Sequence, residues 1–254
     1  MPVTYFVPGE STSPRWAEAF AAGYGGRAVP ISTTLQRGPF AAFCTPPTWP
    51  LLKQAQDEGR DWYYGDHGLF SRGKYYRVTK NAYQPSGIGS GCPTRFAKLG
   101  VPLARQWKKD GSTVVVCPNS PVYMRHYTGE DPENWVSEVV SRLMALTDRR
   151  VVVRWKTDVK ERPLSVDLQT AWMVVTFSSA SAVEALASGI PICTLAPWAS
   201  TASMGITDLS RVERPYYPDL AERDRFLFNL ANQQFTLDEM RQGLAWHSLE
   251  SYVQ

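Results

Sequence analysis

No run of apolar residues in this 254-residue sequence reaches the ~18 that a membrane-spanning helix needs, so no membrane partner is expected. The opening MPVTYFVPGE has no basic region followed by a long apolar one, so no secretory signal is expected either. Cysteine is scarce and scattered, at Cys44, Cys92, Cys117 and Cys193. Without a C-x-x-C pair or a Cys/His cluster, neither a zinc site nor a disulfide framework is expected, and a reducing cytoplasm is the predicted compartment. The glycine-rich stretch SGIGSG at 86–91 lacks both the G-x-G-x-x-G spacing of a dinucleotide fingerprint and the G-K-[ST] ending of a Walker loop. No Asp-x-Asp pair stands at a strand end. Acids are missing altogether from Arg72 to Lys109.

That last absence sits opposite an excess. The same segment carries nine basic residues, with Tyr75, Tyr76, Tyr83, Phe96 and Trp107 interleaved. Residues 1–110 hold 14 Lys/Arg against 7 Asp/Glu, and residues 111–254 hold 13 against 17, so the formal net charge of +3 conceals a basic first part and an acidic second. Cations mixed with aromatic rings suit a phosphodiester backbone with stackable bases. Arg72, Lys74, Arg77, Lys80 and Tyr83 are the candidate contacts to such an acceptor. A solvated basic face is the plainer alternative. The overall composition, 43% hydrophobic and 20% charged, is that of an ordinary globular protein.

Short apolar runs alternate with helical patterns along the chain. Strands are predicted at Val3–Val7, Ala28–Ile31, Phe40–Cys44, Trp62–Tyr64 and Tyr75–Thr79, with helices at Pro14–Ala22 and Trp49–Glu58. After a Gly/Ser/Pro-rich stretch, strands are predicted at Thr113–Cys117, Val151–Trp155, Met173–Val175 and Ile192–Leu195. Helices are predicted at 131–146, 180–187, 220–233 and 237–251, the last opened by a Thr236/Glu239 capping box. The expected fold class is α/β, with two Rossmann-like domains over 1–105 and 106–254. In such sheets ligands sit beyond the carboxyl ends of the strands.

The most informative stretch is WMVVTFSSASAVEALASGIPICT, Trp172 to Thr194. It reads as strand, hydroxyl-rich turn, helix and strand. Ser178, Ser179 and Ser181 at the start of the helix form a predicted anion seat, because the first N–H groups of a helix lack internal partners. Glu184, one turn in, suits a sugar or ribose hydroxyl. Ordinary N-capping explains the serines equally well.

The pattern S-S-x-S-x-x-E-A-L-x-x-G-x-P resembles the donor-binding turn and helix of GT-B glycosyltransferases, such as capsule-sugar transferases, and of the related UDP-sugar epimerases. YYGDHGLFSRGKYYRVTKNAYQ, VVVRWK, FSSASAVEALASGIP and FLFNLANQQFTLDEMRQGLAW together resemble small glycosyltransferase-like proteins of tailed phages, over about half of the chain. The resemblance implies a minimal GT-B fold, with two Rossmann-like domains facing a cleft. It implies a metal-independent hexosyltransferase with no resident cofactor, using a nucleotide sugar, UDP-linked, as co-substrate. Ser120 joins the donor candidates on the same ground. Arg154 and Lys156, read as pointing one way from a strand end, would hold the leaving diphosphate. A general base must take the acceptor proton. Asp66, in a Gly-flanked turn, is the first candidate, His67 the second and Glu10 the third. With the basic segment, the phage resemblance implies double-stranded DNA bearing 5-hydroxymethylpyrimidine as acceptor. A polysaccharide or other glycan acceptor, an epimerase and a non-catalytic nucleotide-sugar-binding module remain open.

Overall fold

A computed structural model describes residues 1–31, 37–156 and 162–251. In chain order the elements are β1 (Val3–Phe6), α1 (Ser13–Gly23), β2 (Ala28–Pro30), β3 (Phe40–Phe43), α2 (Trp49–Asp57), β4 (Trp62–His67), β5 (Tyr76–Lys80) and α3 (Thr94–Leu99). Then follow β6 (Thr113–Cys117), α4 (Pro121–Thr128), α5 (Pro132–Leu146), β7 (Arg150–Val153), α6 (Leu164–Leu168), β8 (Ala171–Thr176), α7 (Ser181–Ala187) and β9 (Ile192–Thr194). The last are α8 (Leu220–Asn232), β10 (Gln234–Phe235), α9 (Leu237–Arg241) and α10 (Leu244–Ser251). Among the described residues no helix is long and apolar enough to cross a membrane.

The chain divides into two compact units. The first takes Met1–Leu99 together with the chain from Phe228 onward, and the second takes Gly100–Leu227, so the division falls inside α8. The segment after Phe228, grouped with the second domain on sequence grounds, therefore packs with the first.

The sheet of the first unit has the order β10-β5-β4-β3-β1-β2. β4, β3, β1 and β2 run parallel, whereas β5 is antiparallel to β4 and β10 antiparallel to β5. Alternating strand residues serve the two faces. Phe43, Tyr63, Tyr76 and Val78 pack with Trp16 and Phe20 of α1 and with Met240 and Ala245 of α9 and α10. Tyr5, Phe40, Trp62 and Tyr64 pack on the other face with Leu51, Leu52 and Ala55 of α2. The single helix expected over 237–251 is broken at Gly243, whose φ of +82° ends α9 and begins α10 at an angle that only glycine adopts readily. β10 was not foreseen: two residues give too short a pattern to read.

The second unit is a wholly parallel sheet of order β7-β6-β8-β9. β8 is buried along its whole length, as a strand covered on both faces must be. Val114, Val116, Met173 and Val175 pack with Trp135, Val139 and Leu143 of α5. α4, where no helix was predicted, has Ser120 at its N-cap and Pro121 at its first position.

Candidate functional site

The chain leaves β6 to one side for β7 and, after crossing back, leaves β8 to the other side for β9, so the second unit has its topological switch point between β6 and β8. Ligands of open α/β sheets sit in the crevice outside the carboxyl ends at such a point. Two loops meet there, 118–120 after β6 and 177–180 after β8. Asn119 ties them together. Its side-chain oxygen accepts from the Ser178 amide at 3.1 Å, and its amide group donates to Ser178 Oγ at 3.4 Å. Ser178 Oγ donates in turn to the Tyr123 hydroxyl at 3.0 Å. Thr176 Oγ1 donates to the Cys117 carbonyl at 2.7 Å and accepts from the Ser179 amide at 3.1 Å.

These bonds alter the anion seat expected from the serines. The amide of Ser181 also has an acceptor, the hydroxyl of Ser179 at 3.3 Å. The amides of Ser178, Ser179 and Ser181 are therefore already engaged by the protein. The Ser181 hydroxyl is buried and makes no side-chain hydrogen bond among the described residues, while burial pushes the neighbouring Cys117 thiol up to about 12. Ser120 makes no side-chain capping bond at the start of α4. Glu184 is exposed in the first turn of α7. The crevice is thus lined by hydroxyls and an exposed carboxylate, with Asn119 and Tyr123 as the braces that sequence reasoning passed over. The Ser-Pro pair at 120–121 is a helix-start signal, and Tyr123 and Tyr127 at helical spacing would have followed from it.

Arg154, expected to hold the diphosphate, is engaged inside the second unit. β7 ends at Val153, and Arg154 is 5% exposed. It donates to Asp167 at 2.6 Å and to the Arg162 carbonyl, while Arg162 reaches the other Asp167 oxygen at 2.7 Å. A guanidinium so enclosed anchors α6. Lys156, two residues on, is exposed, so the two cations do not share one face. An open hollow lined by Trp107, Lys108, Lys109 and Ser188 lies at the opposite, C-terminal end of α7.

In the first unit, β1 leads to β2 on one side while β3 lies on the other, which places the switch point between β1 and β3. The loop after β1 is tightly held: the Glu10 amide donates to the Val7 carbonyl at 3.4 Å, and the Val7 amide to Ser13 Oγ at 3.0 Å. Gly9 permits this turn with φ +84°. Glu10 stands at its end, half-buried.

Asp66 and His67 differ from expectation. Gly65 lies inside β4, not in a turn, and Asp66 is drawn into an ion pair with Arg77 directly across the strand pair. Its other oxygen accepts from the His67 amide at 2.6 Å. Burial by itself would raise the Asp66 carboxyl, but the Arg77 charge and hydrogen bond, the Arg72 charge and the His67 amide outweigh it and hold the group below its usual range. As successive residues of a strand, Asp66 and His67 point to opposite faces. His67 packs edge-on to Phe43 at 5.3 Å and near Tyr76 at 5.8 Å, on the α1 side.

The basic segment is dispersed. Arg77 is 6% exposed and serves Asp66, so it is not a surface cation. Lys80 bridges Asp61 at 3.5 Å and Glu250 at 3.2 Å, and Arg95 binds Glu239 at 2.8 Å. Tyr83 packs against Trp62 and Tyr64 with its hydroxyl on Gln56. Arg72, Lys74 and Lys98 are exposed in the first unit, while Arg105, Lys108 and Lys109 belong to the second.

No family model and no curated protein matches the sequence. Several solved structures match the fold, two of them from one protein. The beta Kdo 2,4 transferase of Thermosulfurimonas dismutans KpsC is 14% identical with a TM-score of 0.59, over 93% of this chain and 92% of that one. The beta Kdo 2,7 transferase of the same KpsC is 13% identical with a TM-score of 0.56, over 97% and 99%. The fold is accordingly that of these GT-B proteins, α/β with parallel strands and Rossmann-like character.

Proposed function

We propose that the chain is a glycosyltransferase that moves a sugar from a nucleotide-sugar donor to a hydroxyl. One observation carries this: at the switch point of a GT-B-type second unit, the loops after β6 and β8 are cross-braced by Asn119, Ser178 and Tyr123. Such bracing preorganises a polar crevice without leaving its amides to reorder around the ligand. Ser120 and Ser179 offer hydroxyls to the donor phosphate, with Lys156 as a nearby exposed cation and Glu184 as the acceptor for a ribose or sugar hydroxyl. Arg154 holds α6 in place through Asp167.

In the transfer, the bond from the anomeric carbon to the phosphate oxygen breaks as the acceptor oxygen bonds to that carbon. The acceptor proton must pass to a base. Glu10 is the proposed base, because it stands at the switch point of the first unit on a pinned loop. Asp66, held ionised by Arg77, is a weak base, and His67 faces the α1 packing layer.

We take a carbohydrate hydroxyl as the acceptor. The Kdo transferases that share the fold act on sugars by their names, and three of the nine cations that suggested DNA, Arg77, Lys80 and Arg95, are engaged in ion pairs. DNA carrying 5-hydroxymethylpyrimidine is the second reading, favoured by the exposed Arg72, Lys74 and Lys98.

The test is release of nucleoside phosphate across UDP-, GDP- and CMP-linked sugars, a Kdo donor among them, with oligosaccharide, plain DNA and hydroxymethylated DNA as acceptors. A sugar-sized mass gain on one acceptor identifies it. Glu10→Gln should lower turnover by about a hundredfold or more while donor affinity stays within a few-fold. Unchanged turnover in that variant would remove Glu10 from the role, and no release with any donor would remove the transferase reading.

A further inference from the structure

Beside the braced loops stands a wall of rings. Tyr123 and Tyr127, one helical turn apart on α4, lie 4.4 Å apart centre to centre at 40°. Trp198, in the loop after β9, sits 5.0 Å from Tyr127 at 39° and 6.5 Å from Tyr123. Phe177, at the end of β8, meets Trp198 edge-on at 5.9 Å, and His126 meets Tyr127 edge-on at 4.6 Å. The Tyr123 hydroxyl receives the Ser178 hydrogen bond, so this wall and the polar crevice share a residue.

Of these rings Phe177 packs against the apolar core of the second unit, but core packing does not account for the others. The apolar cluster under the sheet is built from Val114, Val116, Trp135, Leu143 and their neighbours; Tyr123, Tyr127 and Trp198 stand outside it among the described residues. Trp198 leaves 40% of its surface in water. Nor does the wall offer charge. Burial lowers His126 below its ordinary value, so it is neutral at pH 7. Arg125 is paired with Asp131. What remains is an uncharged wall of tilted rings, with the exposed Trp198 at its edge, beside the hydroxyl-lined crevice. That is the neighbourhood of a nucleobase, whose π-face stacks on aromatic side chains.

We propose that Trp198, backed by Tyr127 and Tyr123, is the stacking platform for the donor's nucleobase. This inference rests on the nucleotide-sugar reading above and assigns the end of the donor that reading leaves open. Stacking tolerates any base, so the platform supplies affinity, and discrimination between bases falls to polar groups around it.

The experiment uses the whole chain, titrated calorimetrically with UMP, CMP, GMP and, as a probe without a base, ribose 5-phosphate. The wild type should bind at least one nucleotide better than ribose 5-phosphate. W198A should weaken that nucleotide roughly tenfold or more and leave ribose 5-phosphate unchanged. W198F, which keeps a ring and the fold, should stay within about threefold of the wild-type affinity and lose the tryptophan quenching that a stacked base produces. Equal nucleotide affinity in W198A and wild type overturns the platform, as does quenching that persists in W198F. An equal loss for nucleotide and ribose 5-phosphate in W198A also overturns it, since stacking acts on the base alone. If the wild type binds none of the nucleotides, the donor reading itself fails.

Discussion

Individual residues in this chain are often engaged twice, and that settles their chemistry. Asp66 gives one oxygen to Arg77 and the other to a backbone amide. Its folded-state carboxyl is held below its unfolded value, so its contribution to stability is complete above about pH 4 and is lost as pH falls through the folded value. Asp66→Asn should therefore cost about 3–5 kcal/mol at pH 7, since it leaves the buried Arg77 uncompensated. It should also flatten the acid limb of a stability-against-pH curve measured by urea unfolding. An acid limb as steep in the variant as in the wild type would show that other carboxylates carry it. The carboxylate was visible in the sequence, but its partner was not. Arg77 comes from an antiparallel neighbour eleven residues away, and no local pattern announces which cation a strand will face.

Elements were easier to read than the contacts between them. Nine of the strands, β1–β9, fall within three residues of their hydrophobic runs, and α1, α2, α5 and α7 start or stop at their Gly, Pro and capping signals. What escaped were pieces too short for a period, such as β10 and α6, and glycines whose purpose is tertiary. Gly65 is one: a Cβ there would lie 2.2 Å from ring carbons of Trp16 on α1. Gly65→Ala should cost roughly 1–3 kcal/mol through overpacking, read as a lowered urea midpoint with an unchanged m-value. A midpoint equal to that of the wild type would mean that α1 shifts freely against β4. The serine turn before α7 was legible as a site by its residue types, yet its hydrogen bonds run to Asn119, Thr176 and Ser179 itself. Residue type suggested a ligand seat, whereas tertiary structure had already used most of the donors.

At the scale of the whole molecule, the α/β class and its two-part organisation could be read from the alternation of apolar runs. The path of the chain could not. β10 pairs with β5, Phe235 and Met240 enter the core beneath α1, and Glu250 accepts from the Tyr63 hydroxyl at 2.8 Å. A chain stopped after Leu227 should lose the protease resistance of residues 1–99 while a fragment near 100–227 persists, as mass analysis of a limited digest would show. Equal resistance of both parts would mean that the first sheet stands without its last strand.

That same return of the chain fixes an order of assembly. Domains commonly finish folding in the order in which they leave the ribosome. Here the second unit is made from one uninterrupted segment and can close as soon as its last residues emerge. The first unit must wait, with its sheet edge at β5 unpaired, until β10 has been synthesised. The nascent chain therefore carries an open strand edge through most of its own translation, and the part that begins first is the part completed last.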